Sequence, residues 1–198
     1  MIKRFFDLII SAIALLILSV LFLILAIAVK LSGPGPVFYL QRRVGISGKE
    51  FTIFKFRTMH VNSEKAGLLT VGGRDNRITA VGYFLRKFKL DELPQLFNVL
   101  KGDMSLVGPR PEVKKYVDLY NSRQREVLSV RPGITDYASV IYSNENELLA
   151  KAEDPEKEYI TTIMPAKLEL NLKYIREKNL FVDIKILAQT VTKILISN

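Results

Sequence analysis

The sequence predicts an α+β protein: an apolar N-terminal helix that enters a membrane, then a compact, mostly helical domain built around a small β-hairpin. Three observations predict it. Leu8 to Val29 carries no charged residue across 22 positions. Two strand-like runs flank a glycine turn, Gly45-Ile46-Ser47-Gly48. After them, apolar residues recur at helical spacing to the C-terminus, with Gly and Pro marking the breaks.

The apolar run comes first. At about 1.5 Å per residue it would extend about 33 Å as a helix, against a hydrocarbon core of about 30 Å. It exceeds the roughly 7–15 apolar residues of a signal peptide. Lys3 and Arg4 precede it, and Lys30, Arg42 and Arg43 follow it, so the positive-inside rule draws both ends to the same face. A re-entrant helix satisfies both pulls, yet a break inside lipid leaves backbone groups to be satisfied. No Pro lies within the run; Ser19 is the residue able to bend it, by bonding back to a carbonyl one turn earlier. On these grounds the spanning and re-entrant readings both stand.

Ser32-Gly33-Pro34-Gly35-Pro36 then stops the helix and divides the chain into residues 1–32 and 33–198. Val37–Arg43 and Glu50–Met59 alternate as two strands. In the second, Phe51, Ile53 and Lys55 share one face and Thr52, Phe54, Phe56 and Thr58 the other. Asn62–Arg77 is polar, contains glycine and reads as a loop. Helical pattern resumes near Thr79, runs again over Asp91–Leu100, and is expected over Pro111–Ser129 until Arg131-Pro132-Gly133 ends it. Ile134–Tyr142 reads as a strand. Helices over Pro165–Lys178 and Val182–Ile196 finish the chain. In the last, Ile184, Leu187, Ala188, Val191, Ile194 and Leu195 form a stripe read as a core face, with interfacial attachment as the alternative.

Composition bounds the chemistry. A chain of 198 residues supports one well-cored domain. Its 29 Lys+Arg against 20 Asp+Glu leave a net charge of +9, which calls for an anionic partner. Without Cys there is no disulfide, thiolate catalysis or cysteine metal site. His60 is the only histidine, so a His-rich zinc site is excluded and a Ser-His-Asp triad would have to use it.

The candidate chemistry centres on Asp91 and Glu92, adjacent acids at a predicted helix start. One reading is local: a cap or first-turn acid that suits the helix dipole, with Pro94 tolerated in the same turn. The other is a reactive pair able to hold Mg²⁺ beside phosphates. Lys55 and Arg57 place two cations at alternate strand positions. Arg86, Arg110 and Arg131 each sit at an element boundary, the last two directly before Pro. Proline fixes the local backbone, a way to hold a guanidinium still for bidentate phosphate binding. The chain has no Walker-type or dinucleotide glycine fingerprint.

The runs FKFRTM, LRKFKLDELPQLFNVLKGDMSLVGPRPE and RPGITDYASV, with the membrane start KRFFDLIISAIALLIL, resemble the bacterial sugar transferase family, the monotopic phosphoglycosyl transferases. The resemblance covers nearly the whole chain. It implies a re-entrant membrane helix, amphipathic interfacial helices and a catalytic domain on the cytoplasmic face of the bacterial inner membrane. It implies transfer of a sugar-1-phosphate from a UDP-sugar to polyprenyl (undecaprenyl) phosphate, with Mg²⁺ as cofactor and release of UMP. It makes Asp91 the nucleophile and metal-binding residue, and gives Glu92 an acid/base or metal-positioning role. Arg86 and Arg110 match phosphate-binding positions, Lys55 and Arg57 lie in the matching basic strand, and Arg131 is grouped with them. Three departures stand out: Ser19-Val20 replaces the usual Ser-Pro, Lys89 precedes Leu90-Asp91-Glu92 in place of Ser, and Asp136-Tyr137-Ala138-Ser139-Val140 replaces Gly-Trp-Ala-Gln-Val. The last is a candidate for nucleotide or sugar choice.

A membrane-tethered basic binding protein would explain the charge and the apolar run, but not the acidic pair or the arginine-proline junctions. Nucleic acid is not an expected partner, since Phe51, Phe54 and Phe56 read as core rather than as a stacking platform.

Overall fold

The computed structural model describes residues 2–61, 63, 69–72 and 75–196. The apolar run is not one helix. It forms α1 (Ile2–Ile17) and α2 (Ser19–Leu31), bent by 65° at Leu18. Among the described residues no single helix is long and apolar enough to cross a membrane; the bent pair matches that requirement in length and composition only. The break arrives without proline, and its cause is tertiary. On α1, Arg4 donates to the carbonyls of Val99 (2.6 Å) and Leu100 (3.2 Å), Lys3 pairs with Asp183 (2.5 Å), and Asp7 accepts from Ser105 Oγ (2.8 Å) and Leu106 N (3.3 Å). On α2 the anchor is Arg57, which donates to the carbonyls of Val29 and Gly33 (both 2.8 Å) and of Pro34. Docked against different parts of the domain, the two legs bend where they meet.

Helix α1 turns its polar residues inward. Asp7 is 5% exposed and Ser11 fully buried, whereas Phe5 is 65% and Leu16 77% exposed. Helix α2 presents Val20, Leu23, Ile24, Ile27 and Leu31 outward and packs Leu25 and Val29 against Phe56 and Leu85. After it, Gly35 at φ +119° allows the Arg57 guanidinium to lie against the backbone where a Cβ would collide.

Strands β1 (Phe38–Val44) and β2 (Glu50–Phe56) pair antiparallel from Phe38↔Phe56 to Val44↔Glu50. The predicted glycine turn joins them, with Ser47 and Gly48 both at positive φ. Alternation in β2 serves two cores: Ile53 joins Leu96, Val99, Met104 and Ile186, while Phe56 faces α2. Asn98, fully buried, closes the free edge of β2 by accepting from Phe54 N (3.0 Å) and donating to Thr52 O (2.7 Å).

Half of the loop predicted over Asn62–Arg77 lies outside the described residues. Helix α3 (Ala80–Lys87) is capped by Thr79, whose hydroxyl accepts from Gly82 N at 2.9 Å. The helix predicted over Asp91–Leu100 is split into a 3₁₀ turn, Leu90–Glu92, and α4 (Gln95–Lys101). Next comes β3 (Ser105–Val107), which local pattern does not predict and which pairs parallel with the segment from Gly133 to Thr135.

Two expectations fail for identifiable reasons. The helix predicted over Pro111–Ser129 is replaced by α5 (Lys114–Val117) and a 3₁₀ segment, Gln124–Ser129. Glu112 O is taken by Val44 N (2.9 Å), and the Asn121 and Gln124 side chains each accept from the other's backbone N–H (2.9 and 3.0 Å), which offers a local turn instead. The strand predicted over Ile134–Tyr142 ends at once. It is β4 (Gly133–Thr135), because Asp136 accepts from Ser139 N (2.6 Å) and caps α6 (Tyr137–Ile141).

Helices α7 (Glu145–Ala150) and α8 (Pro155–Glu158) follow, then a π-helical turn, Tyr159–Ile163, leading into α9 (Met164–Glu177). Helix α10 (Leu180–Ile196) ends the chain. Its predicted core stripe is corrected: Asp183 and Ile186 are buried, while Ile184, Val191 and Leu195 stand exposed. Asp183 turns inward because it pairs with Lys3 and accepts from Tyr174 Oη (2.7 Å).

Candidate active site

The site forms where α3 passes into the 3₁₀ turn. Lys89, two residues past the end of α3, lies in the left-handed region (φ 55°, ψ 21°), an uncommon conformation for a residue with a Cβ. After this turn Glu92 reaches Lys55 on β2 rather than lying along α4. Asp91 does not cap α4; its neighbourhood is tertiary.

Glu92 is held by two cations. Lys55 from β2 donates to Oε1 at 2.9 Å, and Arg110 clamps both carboxylate oxygens, with Nη1 at 3.0 Å from Oε2 and Nη2 on Oε1. Burial by itself would raise the Glu92 pKa, but Arg110 and Lys55 override it and hold the carboxyl well below the usual range. The partners respond in kind. Arg110 is raised by the charge of Glu92, whereas burial lowers Lys55 more than Glu92 raises it.

Asp91 has the opposite fate. It is 8% exposed, and its Oδ1 is buried with no hydrogen-bond partner. Burial raises its pKa first, and the charge of Glu92 adds to that; Lys55, Arg86 and Lys89 oppose. A carboxylate with a vacant oxygen, surrounded by cations that do not bond it, is free to attack or to coordinate.

Arg86 is positioned by side chains and not by the acids. Its Nε donates to Thr58 Oγ1 (2.9 Å) and Nη1 to Thr70 Oγ1 (3.1 Å), and burial lowers its pKa against the pull of Asp91. Arg110 is fixed through its backbone as well: Arg110 N donates to Asp136 Oδ2 at 3.2 Å. Asp136, fully buried, therefore caps α6 and positions Arg110 together. Tyr137 points elsewhere, edge-on to Tyr174 in the core.

The structure thus brings together Asp91, Glu92, Lys55, Arg86 and Arg110. It does not bring in Arg57, whose guanidinium bonds the carbonyls of Val29 and of Gly33 just past α2, or Arg131, which donates to Gly102 O (3.0 Å) beyond the far end of α4. His60 is exposed on the segment after β2, where its backbone bonds Arg77 O (2.9 Å). Asp136 was visible in sequence only as a departure from a motif; its partnership with Arg110 has no local signal.

Among the described residues no group of three or more His, Asp or Glu could hold a metal ion. Asp91 Oδ1, a buried carboxylate oxygen lacking a partner, is the atom here that could share an Mg²⁺ ion of the kind that keeps several waters and takes one or two carboxylates with substrate phosphates.

The family model described as bacterial sugar transferase matches residues 1–197. The chain is 41% identical, over 98% of its length, to a UDP-N-acetylgalactosamine-undecaprenyl-phosphate N-acetylgalactosaminephosphotransferase of Aeromonas hydrophila, covering 44% of that protein. It is 41% identical, again over 98%, to a UDP-glucose:undecaprenyl-phosphate glucose-1-phosphate transferase of Xanthomonas campestris pv. campestris, covering 38% of it. A third relative, an uncharacterized sugar transferase of Bacillus subtilis (strain 168), is 41% identical and 88% covered. The chain spans less than half the length of the first two.

Proposed function

The chain belongs to the bacterial sugar transferase family, and from that membership we propose that it transfers a sugar-1-phosphate from a UDP-sugar to undecaprenyl phosphate through a covalent intermediate on Asp91. The observation that carries this reading is the buried, unpartnered Asp91 Oδ1 among Lys55, Arg86 and Lys89. Repulsion normally keeps a carboxylate from a diphosphate, and fixed cations cancel it.

In the first step an Asp91 oxygen attacks the sugar-side phosphorus. The bond from that phosphorus to the bridging oxygen breaks, and UMP leaves with the electron pair. In the second step an oxygen of undecaprenyl phosphate attacks the phosphorus on Asp91, which regenerates the carboxylate and yields undecaprenyl-diphosphate-sugar. Arg86 and Arg110 bind the phosphates through both steps. The acid/base role expected of Glu92 fits poorly with a carboxyl held ionised by two cations; Glu92 instead positions Lys55 and Arg110. Mg²⁺, held by Asp91 and the donor's diphosphate, would neutralise phosphate charge when bound.

Support for an acceptor presented from lipid comes from α1 and α2, which expose Phe5, Ile13, Leu16, Val20, Leu23 and Ile27. Such a surface fits lipid, and the bent pair fits a re-entrant insertion that leaves the domain on one face, here the cytoplasmic face of the bacterial inner membrane.

The test is UMP release by the detergent-purified chain with undecaprenyl phosphate, Mg²⁺ and a panel of UDP-sugars, together with intact-mass detection of a phosphosugar adduct. Release and an adduct, both lost in Asp91→Asn, are expected. Release that survives Asp91→Asn would overturn the covalent route.

A further inference from the structure

Next to Arg110 opens a cavity of about 200 Å³, lined among others by Gln41, Arg43, Thr70, Glu112, Glu145 and Lys167. It is unlike an apolar ligand pocket, for its walls are mainly charged or amide side chains. It also touches the phosphate site at two points. Arg110 both lines it and clamps Glu92, and Thr70 both lines it and holds Arg86.

The charges in its wall are paired. Lys167 contacts Glu145 at 2.5 Å, and Arg43 contacts Glu112 at 2.9 Å. Arg110 is matched by Glu92. Glu112 is further fixed by Tyr159, whose hydroxyl donates to Oε2. Tyr159 opens the π-helical turn, a wide turn of a kind that recurs at functional sites. Gln41 spends its carbonyl oxygen on Arg43 (3.0 and 2.7 Å), which leaves the amide as a donor to the cavity. Tyr116 and Tyr159 are both buried in the wall, so neither offers an open ring for a base to stack upon.

We propose that this cavity binds the sugar ring of the donor, and that its paired charges select an uncharged, hydroxyl-rich sugar over a uronic acid or a free amino sugar. The inference rests on the proposed reaction and adds the substrate class. Charged and amide side chains in fixed orientation are suited to hydroxyl groups, each of which donates and accepts. Arg110 at the mouth places the ring's anomeric phosphate toward Asp91.

The test separates sugar from nucleotide. Equilibrium binding of UMP and of UDP-glucose, UDP-N-acetylgalactosamine and UDP-glucuronate is measured by calorimetry on the full detergent-solubilised chain, without acceptor and so without dependence on completed turnover. Asn146→Ala, an exposed change in the wall, and Glu145→Gln, which leaves Lys167 unmatched, are compared with the parent. For Asn146→Ala, UDP-sugar affinity is expected to fall about three- to tenfold with UMP affinity and thermal midpoint unchanged. For Glu145→Gln, the preference for UDP-glucuronate over UDP-glucose is expected to rise about tenfold. Equal loss of UMP affinity would assign the cavity to the nucleotide and overturn the proposal, as would unchanged sugar affinity and preference in both variants. Absence of UMP release from the parent despite tight UDP-sugar binding would instead overturn the reaction and leave the sugar site standing.

Discussion

Asp91 and Glu92 are neighbours with opposite electrostatic fates, and the difference lies in what reaches them. Glu92 has two bonded cations; Asp91 has cations near it and an oxygen without a partner. Charge on Asp91 is therefore unfavourable for folding at neutral pH. Its proton is held more tightly in the folded than in the unfolded chain, so the stability linked to that proton is present below the unfolded pKa and lost as pH rises through the folded one. Asp91→Asn should thus abolish UMP release, by at least about 10³-fold, while raising the thermal midpoint at pH 7 by about 2–4 °C. That gain should shrink as the pH falls toward the ordinary aspartate range. Glu92→Gln tests the coupling in the other direction. It removes a charge that raises Asp91, so the acid limb of the pH–rate profile should move to lower pH, while kcat falls about 10²-fold as Lys55 and Arg110 lose their anchor. An acid limb that stays put would show that Asp91 does not set it. The acidic pair, Arg86 and Arg110 were legible in the sequence as charges at element boundaries, and Lys55 as a cation within a strand. Which acid is clamped and which is free was not, because that depends on the left-handed turn at Lys89.

At the scale of elements, the hairpin, α3, α9 and α10 follow local pattern, and the failures occur where a side chain bonds its own backbone or a distant carbonyl. Arg57 looked like a partner of Lys55 on one strand face, yet it leaves the strand to bond three carbonyls at the end of α2. Arg57→Lys, with one ammonium for three acceptors, should cost about 1–3 kcal/mol in thermal unfolding and leave the KM for the UDP-sugar unchanged. A raised KM with unchanged stability would return Arg57 to the phosphate site. The β3–β4 pair makes a similar point. Gly133 lies so close to the Gly108 backbone that a Cβ would collide with it, and Gly108 stands two residues before Arg110. Gly133→Ala should lower the thermal midpoint by about 5 °C or more and weaken donor binding with it. Nothing in either glycine's local sequence shows the contact, because the two strands lie far apart in the chain.

At the scale of the whole molecule, exposed apolar helices at the N-terminus accompany a charged site built from β2, the turn after α3 and the segment around Arg110. Helices α1 and α2 turn aliphatic residues outward while Lys3, Arg4 and Asp7 fix α1 to the domain. In sequence Lys3 and Arg4 are topology signals; in the structure they are also docking bonds. Since the chain has no Cys, single cysteines at Lys3 and Ser32 can be labelled cleanly in sealed vesicles. Both should react with an impermeant thiol reagent from the same side, and labelling from opposite sides would establish a spanning helix. The sequence by itself determined the apolar run, the hairpin, the basic excess and the residue types of the phosphate site, because hydrophobic spacing, turn chemistry and charge act over a few residues. Only the tertiary structure decided that the run bends without proline, that Asp91 rather than Glu92 is left free, that Arg57 and Arg131 stand apart, and that a polar cavity opens beside Arg110. Each of these depends on groups far apart in the chain competing for the same donors and acceptors, and that competition is resolved only once the chain has packed.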